Sequence, residues 1–197
     1  MGVRAVFLVG FMGSGKNTLG QELACRLSWD FVDLDAQIEQ REHLSISEIF
    51  RVRGERAFRL AENAALSDFL TNSVGRNSVV ALGGGAFAVE STRALLGHWP
   101  TVFLDAPVEE LWRRCEQDGK ERPLRRDRDE FARLHADRLA FYRQASLTVE
   151  THGKDPASIC AEIERALCLR EASEEAPSNS GQVRTGGPAG RISSSQS

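Results

Sequence analysis

Ala5-Val6-Phe7-Leu8-Val9-Gly10-Phe11-Met12-Gly13-Ser14-Gly15-Lys16-Asn17-Thr18 is the stretch on which the fold turns. Its first five residues are apolar without alternation and read as a strand covered on both faces. Gly10 to Lys16 then fit the phosphate-binding pattern G-x-x-x-x-G-K. The pattern needs glycine because the backbone must turn until its N–H groups converge on phosphate oxygens. A helix over about 16–28 follows and points its positive end at the same anion. Lys16 would offset the charge of the β- and γ-phosphates. The bland alternative is a glycine-rich turn that happens to carry a lysine, and the flanking strand and helix argue against it.

After the lysine, the pattern asks for Ser or Thr, whose hydroxyl oxygen holds Mg²⁺. This chain has Asn17 there. An amide carbonyl is also a hard oxygen donor, so Asn17 is expected to replace the hydroxyl as ligand. The rival reading is a weakened or lost metal site. Thr18 lies about 100° further round the helix and points elsewhere.

Outward from this loop, short apolar runs alternate with longer amphipathic stretches. Phe31–Leu34, Val79–Leu82, Thr101–Leu104 and a weaker Leu147–Val149 read as further strands. Helices are expected at about 36–42, 46–52, 55–72, 90–96, 108–118, 129–143 and 156–169, with Pro107 and Pro156 near two of the starts. This alternation predicts a three-layer α/β fold: a five-stranded parallel sheet with right-handed crossovers, flanked by helices. Ligands of such sheets bind at the carboxyl ends of the strands, where the phosphate loop falls.

The chain of 197 residues suits one domain, and 41% apolar residues suffice for a core. Composition changes near residue 171. Residues 171–197 hold seven Ser, four Gly, two Pro and no aromatic, which predicts a disordered low-complexity tail after a folded unit of about 1–170. The 25 basic and 28 acidic residues give a formal charge of −3, which argues against binding nucleic acid by bulk charge. No apolar run is long enough to span a membrane, and the start lacks a signal-peptide cleavage pattern. The four cysteines form no CxxC pair and read as free thiols in a reducing cytoplasm.

Four more features bear on chemistry. Asp33-Leu34-Asp35 ends the second strand, and period-two alternation would turn both acids to one side, where they could serve a metal-bound water and an alcohol. The competing reading is a helix N-cap at Asp35 plus one exposed acid. Gly83-Gly84-Gly85 ends the third strand and lets backbone N–H groups approach a ligand. Arg59 and Arg138 have the fork that matches a carboxylate, although most helix-surface arginines are merely solvated. Asp118 to Leu124, with Lys120 and Arg122, reads as a mobile lid that brings cations over a triphosphate. A nucleic-acid surface fits this region poorly, because Asp127, Asp129, Glu130 and Asp137 interrupt the arginines.

Together these residues resemble the shikimate kinase family over about 4–168. The carriers are Gly10–Lys16, Asp33-Leu34-Asp35, Gly54-Glu55 through Phe58-Arg59, Gly83–Gly85, Arg122-Pro123-Leu124 and Arg138 through Tyr142-Arg143. The resemblance implies a fold like that of nucleoside monophosphate kinases. It also implies transfer of phosphate from MgATP to the 3-hydroxyl of shikimate, in aromatic amino-acid biosynthesis. Under it, Asp35, Arg59, Gly84 and Arg138 bind shikimate, the two arginines clamping its carboxylate. Gly13, Ser14, Gly15, Lys16, Asn17 and Thr18 contact the ATP phosphates, and Arg122 reaches them from the lid. Asp33 is associated with Mg²⁺ through water and Asn17 holds the metal. Lys154 and Arg114 sit on the adenine side. Lys16, Asp33 and Arg122 are then the catalytic set, in a cytoplasmic monomer that takes two small molecules and neither nucleic acid nor membrane. A kinase of another carboxylated polyol, such as gluconate, remains open. So does a module that binds nucleotide or shikimate without turnover.

Overall fold

The computed structural model describes residues 4–72, 76–117 and 127–169. The expected lid at Asp118–Leu124, with Arg122, and the expected tail at 171–197 lie outside the described residues. Five strands, β1 (Ala5–Val9), β2 (Asp30–Asp33), β3 (Ser78–Ala81), β4 (Thr101–Asp105) and β5 (Leu147–Glu150), form one sheet in the order β2-β3-β1-β4-β5. Every pairing is parallel, and β1 lies at the centre, with Phe7 opposite Val80 on one side and Thr101 on the other. The helices are α1 (Lys16–Leu27), α2 (Leu34–Glu42), α3 (Ile46–Asn72), α4 (Glu90–Leu95), α5 (Val108–Gln117), α6 (Arg128–Tyr142) and α7 (Pro156–Ala166).

All of β1 is buried, yet its period of two still sorts side chains between two cores. Phe7 and Val9 join Leu34 of α2, Leu66 of α3, Leu111 of α5 and Phe131 of α6. Val6 and Leu8 join Leu23 of α1 and Ile163 of α7. Phe7 meets Phe69 and Trp99 edge-on at 5.9 and 6.0 Å. Each large side chain buried this way contributes about 1.5–3 kcal/mol. The continuous apolar strands of the sequence are thus strands clad by helices on both faces.

The two helices expected at 46–52 and 55–72 are both present; α3 consists of two helices that meet across a non-helical kink at Gly54. Gly54 has φ 79° and ψ 170°, a conformation almost confined to glycine. A Cβ there would meet nothing within 4 Å, so any cost of a side chain is conformational. Gly54→Ala is expected to destabilise the fold by about 1–3 kcal/mol, read as a lower midpoint in urea unfolding at unchanged slope. An unchanged midpoint would show that the bend does not depend on glycine.

Candidate active site

Gly15 (φ 87°) caps α1 without a side-chain hydrogen bond, so the first N–H groups of the helix face the loop. Lys16 lies across the same loop. Its Nζ donates to the Gly10 carbonyl at 2.8 Å, the Phe11 carbonyl at 3.0 Å and Ser14 Oγ at 3.4 Å. Phe11 anchors the loop from beneath, edge-on to Phe131 at 4.9 Å, and Phe131 in turn meets Trp112 at 5.1 Å.

The two acids that end β2 depart from the alternation expected of them. Leu34 already begins α2, so Asp33 and Asp35 are set by a strand-to-helix junction and not by a pleat. The cap is Asp33, not Asp35: its Oδ1 accepts from the N–H groups of Asp35 (3.0 Å) and Ala36 (3.4 Å). Its Oδ2 accepts from Asn17 Nδ2 at 2.5 Å. The residue that departs from the phosphate-loop pattern is therefore bonded to the first acid. Asp35, the second residue of α2, approaches Gly83: a Cβ on that glycine would lie 2.6 Å from Asp35 Oδ1 and 2.8 Å from Glu62 Oε1.

Glu62 escaped the sequence reading. Its side chain is only 2% exposed, and Arg59 Nη1 donates to its Oε2 at 2.7 Å. Burial pushes its carboxyl above the usual range, Arg59 opposes that shift, and the neighbouring Asp35 adds to it. The signal was the Arg59-x-x-Glu62 spacing, which puts both groups on one helix face. Arg59 also donates to Glu55 at 3.2 Å, and its guanidinium lies against Gly85, where a Cβ would come within 2.6 Å of Nη2. Arg138 reaches in from α6, over the Phe11 ring at 5.8 Å, with Nη1 3.4 Å from the Gly84 carbonyl. The hydroxyl of Tyr142, one turn along α6, donates to that same carbonyl.

Tyr142 is the only tyrosine in the chain, and burial pushes its hydroxyl up to about 12. A folded-state value above that of the unfolded chain, about 10, stabilises the fold below pH 10 and ceases to do so as pH rises toward 12. Tyrosinate absorbance is expected to stay absent through pH 10 in the folded protein and to appear near 10 in urea. Ionisation near 10 in both states would contradict this burial.

These groups open into one cleft of about 990 Å³. Lys16, Asn17, Thr18, Gly13 and Gly15 line its phosphate side. Asp33, Asp35, Arg59, Glu62, Gly84 and Arg138 line the rest, with Arg114 at the margin. Ser14 is fully buried behind the loop. Arg114 is held by Glu110, Nε to Oε1 at 2.8 Å, and the hydrogen bonds and charges of Arg113 and then Arg114 draw the Glu110 carboxyl down to about 2. Lys154 is not among the lining residues; its Nζ pairs with Glu162 at 2.7 Å.

A phosphate loop and a pocket of acids and arginines thus share one cleft at the carboxyl edge of a parallel sheet. The sequence model described as shikimate kinase matches residues 12–168. The chain belongs to the shikimate kinase family. It is 40% identical over 162 residues to a shikimate kinase of Persephonella marina, covering 82% of this chain and 97% of that protein. A shikimate kinase of Halorhodospira halophila is 44% identical over 167 residues, covering 82% and 92%. The structure of a shikimate kinase from Acinetobacter baumannii in complex with shikimate superposes with a TM-score of 0.78 at 31% identity, covering 86% of this chain and 95% of that one. The chain is accordingly an enzyme, a kinase that takes ATP and shikimate in the route to the aromatic amino acids.

Proposed function

We propose that the cleft transfers the terminal phosphoryl group of ATP to the 3-hydroxyl of shikimate, with its two sides as donor and acceptor halves. The observation that carries this is the shared cleft: Lys16 lines it together with Asp35, Arg59 and Arg138. Arg59 and Arg138 clamp the carboxylate, Gly84 offers backbone, and Asp35 holds the hydroxyls against the reacting end. Gly13, Ser14, Gly15, Lys16 and Thr18 form the phosphate cradle. Lys16 offsets charge on the transferring group, and Arg122, outside the described residues, adds to this. Lys154 and Arg114 belong to the adenine side of this reading.

The donors beside the loop suit Mg²⁺. Asn17 and Asp33 are hard oxygen ligands, and the amide nitrogen of Asn17 is already engaged by Asp33, which leaves Oδ1 for a cation. Among the described residues no cluster of three or more His, Cys, Asp or Glu could hold a metal alone. Mg²⁺ commonly keeps several waters and is shared with substrate phosphates. When bound, it would offset charge on the β- and γ-phosphates. Asp33 would reach it through water, and Asn17 through its carbonyl.

Single-turnover ADP release is expected with shikimate and not with gluconate. ADP release with gluconate alone would overturn the acceptor. Mn²⁺ affinity of the ADP complex, read by electron paramagnetic resonance, is expected to stay within about threefold in Asn17→Thr. A gain at the scale of a restored ligand, about 10–100-fold, would show that Asn17 does not serve.

We place the enzyme in the cytoplasm as a monomer that binds neither nucleic acid nor membrane, with a folded unit of about 1–170 and a tail at 171–197. The free cysteines and the acids interspersed among the arginines of α6 support this. No helix among the described residues is long and apolar enough to cross a membrane.

A further inference from the structure

The glycine triplet after β3 sorts its polar atoms by direction. The carbonyls of Gly83 and Gly85 are taken locally, by the N–H groups of Ala86 (3.1 Å) and Ala88 (3.2 Å). The Gly84 carbonyl is not held by its own turn. It is held from α6, by the Tyr142 hydroxyl and, at 3.4 Å, by Arg138. Among the described residues no protein acceptor takes the N–H of Gly83, Gly84 or Gly85.

A trans peptide points its C=O and N–H to opposite sides. Drawing the Gly84 carbonyl toward α6 therefore turns the Gly85 N–H away from α6, at a glycine that lies against Arg59. Glycine on both sides of this peptide leaves its plane cheap to flip. Flipped, it would aim a carbonyl where an anion must sit. The Tyr142 ring cannot yield: it is 0% exposed and stacks on Phe103 at 5.2 Å and 22°.

We propose that Tyr142 is a positioning residue for the acceptor's carboxylate. Its hydroxyl fixes the Gly84–Gly85 peptide with the N–H open to the cleft, and by holding the Gly84 carbonyl it releases Arg138 to meet the substrate. This rests on the reading that Arg59, Gly84 and Arg138 receive the shikimate carboxylate. Because the hydroxyl stays protonated far above neutral pH, it remains a donor under all working conditions.

The test is calorimetric binding of shikimate and of ADP, separately, to wild type, Tyr142→Phe and Arg138→Ala. Tyr142→Phe is expected to weaken shikimate about tenfold, the scale of stranding one buried acceptor, and to leave ADP unchanged. Its shikimate KM should rise by the same factor with kcat within about twofold. Unchanged shikimate affinity in Tyr142→Phe, with Arg138→Ala weakened, overturns the role of Tyr142. Equal weakening of shikimate and ADP overturns it too, by showing a merely structural part. Unchanged affinity in Arg138→Ala instead overturns the reading of the carboxylate pocket itself. If Tyr142→Phe does not fold, the wild type decides through its single tyrosine. A near-ultraviolet tyrosine difference signal on adding shikimate supports the proposal, and a silent tyrosine overturns it.

Discussion

Lys16→Ala is expected to lower kcat by about 10²–10³-fold, the largest loss of any single substitution in this cleft. Phosphoryl transfer asks little covalent chemistry of the protein; catalysis is positioning and offset charge, and Lys16 brings its charge to the start of α1. The same ammonium also bonds two carbonyls of its own loop, so part of the loss would come from a slackened cradle. Lys16→Met separates loss of the whole ammonium from loss of packing. It keeps the stem that packs in the loop but removes both charge and donors, and it should fall as far in kcat while its melting temperature stays near wild type. ADP affinity should drop in both variants. A kcat within about fivefold of wild type in Lys16→Met would remove Lys16 from the catalytic set.

Arg59→Ala and Arg138→Ala are both expected to raise the KM for shikimate by about 10²-fold, the worth of a charge-assisted clamp, but they should differ in stability. Arg59 is bonded to Glu62, whose side chain is 2% exposed, so its removal strands a buried carboxylate. That costs about 3–5 kcal/mol before substrate is considered. Arg138 holds a carbonyl at long range and a ring face, and its loss should leave the melting temperature nearly unchanged. Arg59→Ala combined with Glu62→Gln is expected to recover most of the stability and none of the shikimate affinity. Recovery of both would show that Arg59 acts on Glu62 and not on substrate.

The phosphate loop was legible because its chemistry is local: strand, glycines, lysine and helix follow one another in the chain. The sheet was legible for the same reason, since strands covered on both faces leave continuous apolar runs. Asp33 and Asp35 were found as acids but misread in geometry. A pleat and a capped helix begin with the same three letters, and only the onset of α2 at Leu34 decides between them. Glu62 was missed because burial of a charge depends on what covers it, here Asp35 and Gly83 from distant parts of the chain. Tyr142 stands in the sequence only as part of a motif. Its partner lies 58 residues away, and no spacing announces such a contact. Asn17 stood out as an exception, yet its bond to Asp33 could not be read from either residue alone.

The two cores on either side of β1 carry a consequence for how such an enzyme can change. Asp35, Arg59, Glu62 and Arg138 all descend from helices of one layer, whereas the phosphate cradle leads into α1 in the other. The two layers meet at the phosphate loop, where Phe11 packs edge-on to Phe131 of α6 and lies beneath Arg138. A new alcohol acceptor could be accommodated by recutting α2 and α3 while the face of α6 that seats the loop is kept, so that the machinery for the donor is inherited intact.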